Sequence, residues 1–481
     1  MKYTFFFFIL LMPWLHPGYA QNDIKKPTDS LLLVLSAAKE DTAKVNLLAE
    51  IMLAHVYYKP EVGLSYQKIG LELAQKTNWK PGIAKIKHRA GRLYWRLGNF
   101  TAALTNHFKA LELYRQTGNK HAEGRVLIEI GQDYLDDGKL NQANAALLTA
   151  LKYNEAQNDT IHIATTYDVL CYLYDVQGNA AEATKTAYNY LKITERTGDK
   201  SAIAHAAHML ASNYQALGNN TDALKYFKKG LQVSLENSEK FLQINFNISI
   251  GDIYLTENKF TKTQQYYNTA LVLANEINDA QMLAYLHRSI GNFHLAQGKY
   301  TNALNSYLTA ETGYLSISNK QGLASLYSAM GKVYTSLNKL NLAKQSFDKA
   351  KTLYDGLNSQ QAMGEYYSGK ERLDSVTGNW KSAYEHYKQY ITIRDSSFNK
   401  ATIQKLVGSQ MLFENEKKEA ILKVEQEKKD LVVQSEIKRQ QNIRNAAFGV
   451  LFLVLVFSAV VFRQRNKIAG EKKKSDQLLL D

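Results

Sequence analysis

The sequence is poor in residues that interrupt or cross-link a fold. Its 481 residues include five prolines and one cysteine, Cys171. A single cysteine cannot form a disulfide within its chain, and so few prolines leave long helices uninterrupted. No stretch alternates apolar and polar residues as half-buried strands do. The composition therefore favours an all-α protein in which Cys171 is a buried structural thiol.

Motifs of catalysis and cofactor binding are missing as well. The sequence contains no GxxxxGK phosphate loop, GxGxxG, CxxC, HExxH or nucleophile elbow. No pair of carboxylates stands out for acid–base catalysis. His205 and His208 are three residues apart and could face one metal ion, but no third ligand accompanies them. We therefore expect a chain that is not an enzyme by itself and that holds no cofactor and no metal.

The chain is basic, with 59 Lys and Arg against 45 Asp and Glu and a net charge of +14. Such a balance raises the question of nucleic-acid binding. However, the basic residues are spread along the predicted helix faces and concentrate beside an apolar segment near the C-terminus. No basic module interleaved with aromatic residues is found. We therefore expect no nucleic acid among the partners.

What the sequence does contain is a repeat of 40 residues, most clearly seen around Gly91. In each copy a small residue is followed by an aromatic residue three positions later, by a turn residue after seven and by another small residue after twelve. The residues that define this pattern are Gly91, Tyr94, Gly98, Ala103, Gly131, Tyr134, Gly251, Tyr254, Gly291, Gly331 and Tyr334. The remaining copies carry Cys171, Ala211 and Glu371 at the first position.

Each copy of the repeat predicts a helical hairpin. The small residue lets two helices approach closely, and the aromatic residue three positions later lies on the same face. The glycine or asparagine at the turn tolerates the left-handed conformation that ends a helix. A single hairpin cannot bury its apolar face alone, so neighbouring hairpins must stack.

The pattern carried by Gly91, Tyr94, Gly98, Ala103 and Ala110 resembles the tetratricopeptide repeat in a longer variant. A further aromatic position supports the resemblance, at Phe227, Tyr267, Tyr307, Phe347 and Tyr387. The resemblance implies a right-handed superhelical solenoid of about eight or nine hairpins over residues 27–400, with an irregular first hairpin as its cap.

The N-terminus has the pattern of a signal peptide over residues 1–20. Lys2 precedes an apolar run from Phe5 to Met12, and Gly18 and Ala20 place small residues at a cleavage site. The alternative is an uncleaved anchor, for which the apolar run is short. In either case this segment predicts export of the repeats.

After residue 400 the repeat stops and two helical segments follow. Residues 401–445 are rich in Lys, Glu and Gln with apolar residues at heptad spacing, so they could form a weak coiled coil and a homodimer, or a solvated single helix. The seventeen uncharged residues from Ala446 to Phe462 predict a transmembrane helix. The basic stub 463–481 favours the cytoplasmic side. We therefore expect a single-pass inner-membrane protein with periplasmic repeats.

This layout resembles that of bacterial membrane signalling receptors. The segment Phe413–Glu419 resembles the helix that precedes the span in such receptors, and Glu471–Leu480 resembles the linker before class III nucleotidyl cyclase domains. The resemblance implies a cytoplasmic output domain, which this sequence does not include. It predicts either a receptor that relays a signal across the membrane or a scaffold that only holds a partner there.

Tetratricopeptide arrays usually bind peptides or proteins on the face lined by the first helix of each hairpin. The repeat register places fourteen candidate residues there: Lys85, His88, Arg92, Trp95, Arg125, Gln132, Asp168, Tyr172, His208, Asn245, Asp252, Arg288, Asn292 and Lys332. The basic cluster from Lys85 to Arg125 could bind a carboxylate or an acidic peptide. The alternative is that these charges only solvate the groove.

Overall fold

The computed structural model describes the backbone of residues 25–357 and 363–478, and the side chains of residues 31–355, 363–394, 418–419 and 421–473. Across this part of the chain the regular structure consists of 19 helices and no strand. The prediction of an all-α helical repeat array is therefore confirmed. The expected signal peptide, residues 1–20, lies outside the described residues.

The helices follow one another at a nearly constant spacing. They are α1 (Lys25–Ala37), α2 (Thr42–Ala54), α3 (Pro60–Lys76), α4 (Lys80–Arg96), α5 (Phe100–Thr117), α6 (Lys120–Asp136), α7 (Leu140–Ala156), α8 (Thr160–Val176), α9 (Ala180–Thr197), α10 (Lys200–Ala216), α11 (Asn220–Glu236), α12 (Lys240–Thr256), α13 (Phe260–Ile277), α14 (Ala280–Ala296), α15 (Tyr300–Ser316), α16 (Lys320–Ser336), α17 (Leu340–Leu357), α18 (Gly364–Val376) and α19 (Trp380–Leu478). Helices α2 to α17 form antiparallel pairs, α2 with α3 and so on to α16 with α17. Each pair is one 40-residue repeat.

The connections divide each repeat into two equal halves. From Asn78 to Asn338 a residue with positive φ recurs every 20 positions, and another follows at Gly378. The residues between these ends are Gly98, Gly118, Gly138, Asn158, Gly178, Gly198, Gly218, Ser238, Asn258, Asn278, Gly298 and Ser318. These residues end the helices in the left-handed conformation, which glycine and asparagine adopt most readily. Many of the following helices begin at an Asn or Asp, such as Asn99 and Asp159, whose side chain accepts a backbone N–H.

The close packing within a pair depends on the small-residue position and on the residue sixteen positions later. A Cβ atom added at Gly291 would lie 2.3 Å from Cε1 of Tyr307, whose side chain is fully buried. Where the small-residue position holds Cys171, the residue sixteen positions later is the fully buried Ala187. A larger residue at one position is thus matched by a smaller residue at the other, because the space between the helices is constant. Cys171 is fully buried, as predicted.

The C-terminal part differs from the array. The chain divides at Gly408 into two compact units, residues 1–408 and 409–481. Helix α19 runs from Trp380 to Leu478 and includes the segment 401–445 that we predicted to be a charged helix. The part of α19 from Ile421 to Lys473 contains a segment long and apolar enough to cross a membrane, and none of that segment is buried. By its length and composition this segment could cross a membrane.

The matching of residue sizes between paired helices predicts that a larger residue at position 291 destabilises the pair. We expect Gly291→Ala to lower the local free energy of unfolding by about 1–3 kcal/mol, because the added methyl is forced against Tyr307. Amide hydrogen exchange over α14 and α15 measures this loss. Tyr307→Leu should cost less in the Gly291→Ala background than in the wild type, and an equal cost in both backgrounds would contradict the steric explanation.

Candidate functional site

The fourteen predicted groove residues all lie on the first helix of a pair, from α4 to α16. First helices of successive pairs contact one another across the pair boundary, for example α2 with α4, α6 with α8 and α12 with α14. Within residues 25–357 no comparably close contact joins consecutive second helices. The first helices therefore line the more crowded, inner side of the array, and Arg125 is the one candidate residue that is largely exposed.

The candidates of the first two regular repeats converge on a carboxylate that the sequence pattern did not single out. Glu129 Oε2 lies 2.6 Å from His88 Nε2, while Glu129 Oε1 lies 3.1 Å from Arg125 Nε and 3.7 Å from Arg92 Nε. Lys85 is paired elsewhere, with Glu50 at 2.9 Å. An acidic peptide at this place would have to compete with Glu129 for its cationic partners.

A second carboxylate extends this group into the core. His107 Nδ1 lies 2.7 Å from Asp133 Oδ2, and each side chain is only 1% exposed. His107 Nε2 lies 3.3 Å from Glu129 Oε2. We call His88, Arg92, His107, Arg125, Glu129 and Asp133 the Glu129 cluster.

The Glu129 cluster replaces residues that are neutral in most other repeats. The position of His107 holds Leu147, Phe227, Tyr267, Tyr307 and Phe347 in other pairs, and that of Asp133 holds Leu93, Leu173, Ile253, Phe293 and Val333. The position of Glu129 holds Val169, Met209, Ser249, Ser289 and Ala329 in later repeats. Burying charged groups in place of apolar ones costs stability even when they are paired. Packing alone therefore does not explain why these charged residues stand at positions that are neutral in most other repeats.

Burial and pairing set the protonation states in the cluster. Burial lowers the pKa of His88 to about 4, although Glu129 opposes the shift. Burial alone would raise the pKa of Glu129, but His88, Arg92 and His107 hold it well below its ordinary value. At neutral pH His88 is therefore neutral, its Nε2–H donates to Glu129, and its Nδ1 accepts from the Tyr114 hydroxyl at 3.3 Å. Burial also raises the pKa of Asp133 to about 6, against the opposing effect of His107.

In the middle repeats, burial favours the neutral forms of the titratable side chains on the inner face, and we call the surroundings of Asp168 and His205 the neutral stretch. Burial raises the pKa of Asp168 to about 7 and lowers the pKa of His205 to about 4. The His205 Nδ1 atom lies 3.4 Å from Asp168 Oδ1. His208 packs against the rings of Phe227 and Phe246, with both centroid distances 5.5 Å. His205 and His208 therefore each contact side chains of the array on its inner face.

The candidates of the later repeats surround a guanidinium. Arg288 lies over the ring of Tyr285, with Cζ 5.0 Å from the centroid, and its Nη1 donates to Ser325 Oγ at 3.4 Å. One turn further along α14, Asn292 accepts from the Tyr307 hydroxyl at 2.7 Å. Among the described residues Arg288 forms no ion pair, and its buried Nε has no hydrogen-bond partner. The carboxylates of Asp252 and Glu365 act on it from a greater distance. A buried guanidinium without a direct carboxylate partner can hold an anionic ligand group.

The remaining candidates have partners of their own along the inner face. Trp95 Nε1 donates to Asp136 Oδ2 at 2.5 Å, and Asp252 accepts from the hydroxyl of Tyr267. Lys332 lies 4.0 Å from Glu365. Gln132, Tyr172 and Asn245 are partly buried on α6, α8 and α12. The inner face is therefore polar over its whole length. Its charges form direct ion pairs in the first repeats, whereas Arg288 has only the more distant carboxylates of Asp252 and Glu365.

Sequence reasoning missed Glu129, His107 and Asp133 because it ranked only the positions expected to face the groove. The signal that could have found them is a charged residue at a repeat position that is neutral in most other copies. Such a residue is either exposed by an irregular repeat or buried within a polar network. Only the packing of α4, α5 and α6 decides between the two.

Comparison with known proteins agrees with the fold. Tetratricopeptide-repeat family models match residues 82–156, 203–236 and 324–356. These segments correspond to α4–α7, α10–α11 and α16–α17. Over these segments the chain matches tetratricopeptide repeats, and the paired helices of the rest of the array have a similar arrangement. No curated protein matches the chain in sequence.

Solved structures of the same architecture extend over most of the array. The apo form of RapI has a TM-score of 0.58 and 15% identity, and the match covers 73% of this chain and 97% of RapI. Aspartyl phosphate phosphatase F from Bacillus subtilis has a TM-score of 0.51 and 11% identity, with 70% of this chain and 96% of that chain covered. At these identities the likeness shows the fold alone.

The position of Glu129 predicts a large effect of its neutralisation. We expect Glu129→Gln to lower the free energy of unfolding by about 3 kcal/mol, because the amide has no charge to balance Arg92 and only one oxygen to replace the two that face His88 and Arg92. Arg125→Gln is the matched control, since its side chain is 45% exposed, and should cost less than about 1 kcal/mol. Hydrogen exchange over α4–α6 compares the two variants, and similar losses would show that Glu129 is not the shared acceptor.

Proposed function

We propose that this chain is a membrane-tethered tetratricopeptide-repeat receptor that binds an extended segment of a partner protein along its inner face. The observation that carries the proposal is Arg288, a mostly buried guanidinium whose Nε has no hydrogen-bond partner. A partner carboxylate could accept from the terminal nitrogens of this guanidinium and be held by its charge. The chain thus binds its partner through an acidic side chain or a C-terminal carboxylate.

The surroundings of Arg288 support an extended peptide as the ligand. Tyr285 fixes the plane of the guanidinium by stacking, which reduces the entropy that binding must remove. Asn292 on α14 and Lys332 on α16 are partly exposed on the same inner face. Amide and ammonium groups of this kind can bind the backbone carbonyls of a peptide that runs past Arg288. The neutral stretch around Asp168 and His205 would accommodate uncharged residues of the same ligand.

The receptor part of the proposal rests on the C-terminal unit. A helix that is apolar enough to cross a membrane follows the array in the sequence. The charged part that precedes this apolar segment, including Gln426 and Leu431, is exposed. We propose that two chains pair through this segment, that the repeats lie outside the inner membrane, and that ligand binding changes the geometry of the pair. A scaffold without relay would bind the same ligand and leave the pair unchanged.

The binding site is tested by removing the guanidinium. Full-length chains in lipid nanodiscs are used to select ligands from a random peptide library. We expect the selected peptides to carry an acidic residue or a free C-terminal carboxylate, and Arg288→Gln to weaken their binding by at least about tenfold. Arg125→Gln, a matched loss of one groove arginine, should leave binding unchanged. Selected peptides that bind both variants equally would overturn the assignment to Arg288.

The relay is tested separately by crosslinking. A Gln426→Cys variant introduces an exposed thiol in the charged part of α19, whereas the native Cys171 is fully buried. We expect disulfide formation between chains at this position, and we expect a selected peptide to change its rate several-fold. A rate that ignores every peptide bound at Arg288 would leave the chain as a tethered binding protein without a relay.

A further inference from the structure

The Glu129 cluster brings three ligand-type atoms to one point at the junction of α4, α5 and α6. His88 Nε2, His107 Nε2 and a carboxylate oxygen of Glu129 all lie within 4.8 Å of one another. Two imidazoles and one carboxylate are a donor set that first-row divalent ions bind readily. We propose that His88, His107 and Glu129 form a binding site for such an ion, with Zn²⁺ as the best-suited member of the class.

An unpartnered ring nitrogen is the observation that points most directly to a ligand. His107 is 1% exposed, and its Nε2 has no hydrogen-bond partner. This atom lies 3.3 Å from Glu129 Oε2 but does not make a hydrogen bond to it. A buried polar atom without a partner is destabilising. A metal ion bound to Nε2, in place of a proton on that nitrogen, would remove this destabilisation.

The second ring nitrogen of each histidine is already held in the way that metal sites require. His107 donates its Nδ1–H to Asp133 Oδ2 at 2.7 Å, and Asp133 is itself 1% exposed. His88 Nδ1 lies 3.3 Å from the Tyr114 hydroxyl. A carboxylate on the far side of a ligating imidazole fixes its tautomer and makes it a better donor to the metal. When His88 binds through Nε2, its proton moves to Nδ1, and the Tyr114 oxygen then accepts it.

The separations of the three atoms are compatible with tetrahedral coordination after a small adjustment. Bonds of about 2.0–2.1 Å place neighbouring ligand atoms about 3.3 Å apart. The distance from His107 Nε2 to Glu129 Oε2 is 3.3 Å and already matches this value. The hydrogen-bonded distance from His88 Nε2 to the same oxygen is 2.6 Å and must lengthen by about 0.7 Å when the ion replaces the proton.

The two arginines of the cluster limit the affinity without blocking the site. Arg92 and Arg125 approach Glu129 through Oε1, at 3.7 and 3.1 Å, and leave Oε2 to the imidazoles. Their charges repel a cation, and Arg125 is the more exposed of the two, with 45% of its side chain accessible. Glu129 is 15% exposed beside it, so the site reaches solvent at this point. Removal of the Arg125 charge should therefore strengthen metal binding, whereas a merely structural role for the cluster predicts no such gain.

A second histidine pair provides a matched control on the same molecule. His121 and His162 both contact Asp159 Oδ2, at 2.9 and 2.8 Å. His121 is 68% exposed, and Asp159 also caps α8 by accepting the backbone N–H of His162. Here the carboxylate is already engaged by three donors and no buried ring nitrogen is left without a partner. We predicted no metal site from the sequence, because the pair His205 and His208 had no third ligand. The three ligands proposed here are separated by 19 and 22 residues, so no local spacing motif joins them.

Titration of Co²⁺ into the full-length chain in detergent, with any affinity tag removed, tests the proposal. We expect one ion per chain, visible d–d bands of tetrahedral nitrogen and oxygen coordination, and displacement by Zn²⁺. His107→Gln should abolish the bands, Asp133→Asn should weaken binding about 10- to 100-fold, and Arg125→Gln should strengthen it. His121→Gln should have no effect.

Two outcomes would overturn the site: a wild-type chain that gives no tetrahedral bands, or bands that are lost in His121→Gln and kept in His107→Gln. If circular dichroism shows that His107→Gln does not fold, the exposed Arg125→Gln variant decides, since unchanged affinity there contradicts a cation next to Glu129. X-ray absorption of the wild-type chain with bound Zn²⁺ counts the ligands directly, and fewer than two imidazoles would also reject the assignment.

Discussion

The architecture depends on the close contact between the two helices of each pair. At this contact the residue at the small-residue position faces the residue sixteen positions later, and their summed volume is limited by the spacing of the helices. Gly291 faces Tyr307, Gly331 faces Phe347, and Cys171 occupies the position whose partner in sequence is Ala187. Glu371 departs from the pattern together with its partner position, since Tyr387 is 50% exposed. Stacking of successive pairs then buries what a single pair leaves open.

The inner face of the array can therefore hold polar residues. Because the apolar contacts lie within and between pairs, side chains on the inner side of the first helices can carry charge without disrupting the repeat. The charge and protonation of its side chains differ along the inner face. Around Glu129 the charges are paired and buried, and around Asp168 and His205 burial favours neutral forms. The guanidinium of Arg288 has no direct ion pair among the described residues, and its Nε has no hydrogen-bond partner. The array therefore offers several chemically distinct environments on one regular scaffold.

The polar cluster at Glu129 is built from two adjacent repeats. Replacement of an apolar residue by His107 in the core of one pair is costly by itself. The cost falls when Asp133 from the next pair accepts a hydrogen bond from His107 Nδ1, so the cluster needs two adjacent repeats and neither half suffices. Such a cluster also links the two repeats energetically, because changing one member leaves the others unpaired.

The sequence alone determined the repeat length, the all-α class, the buried state of Cys171 and the presence of an apolar C-terminal segment. These features follow from local rules: periodic small and aromatic residues, turn residues that accept positive φ, and an uncharged run of membrane length. The sequence also placed the groove candidates on the first helices, because register is a local property. Tertiary structure decided which of these residues are neighbours. His88, His107 and Glu129 come from three helices, so their approach depends on the angle and spacing at which those helices pack, and no pattern along a single helix contains that information.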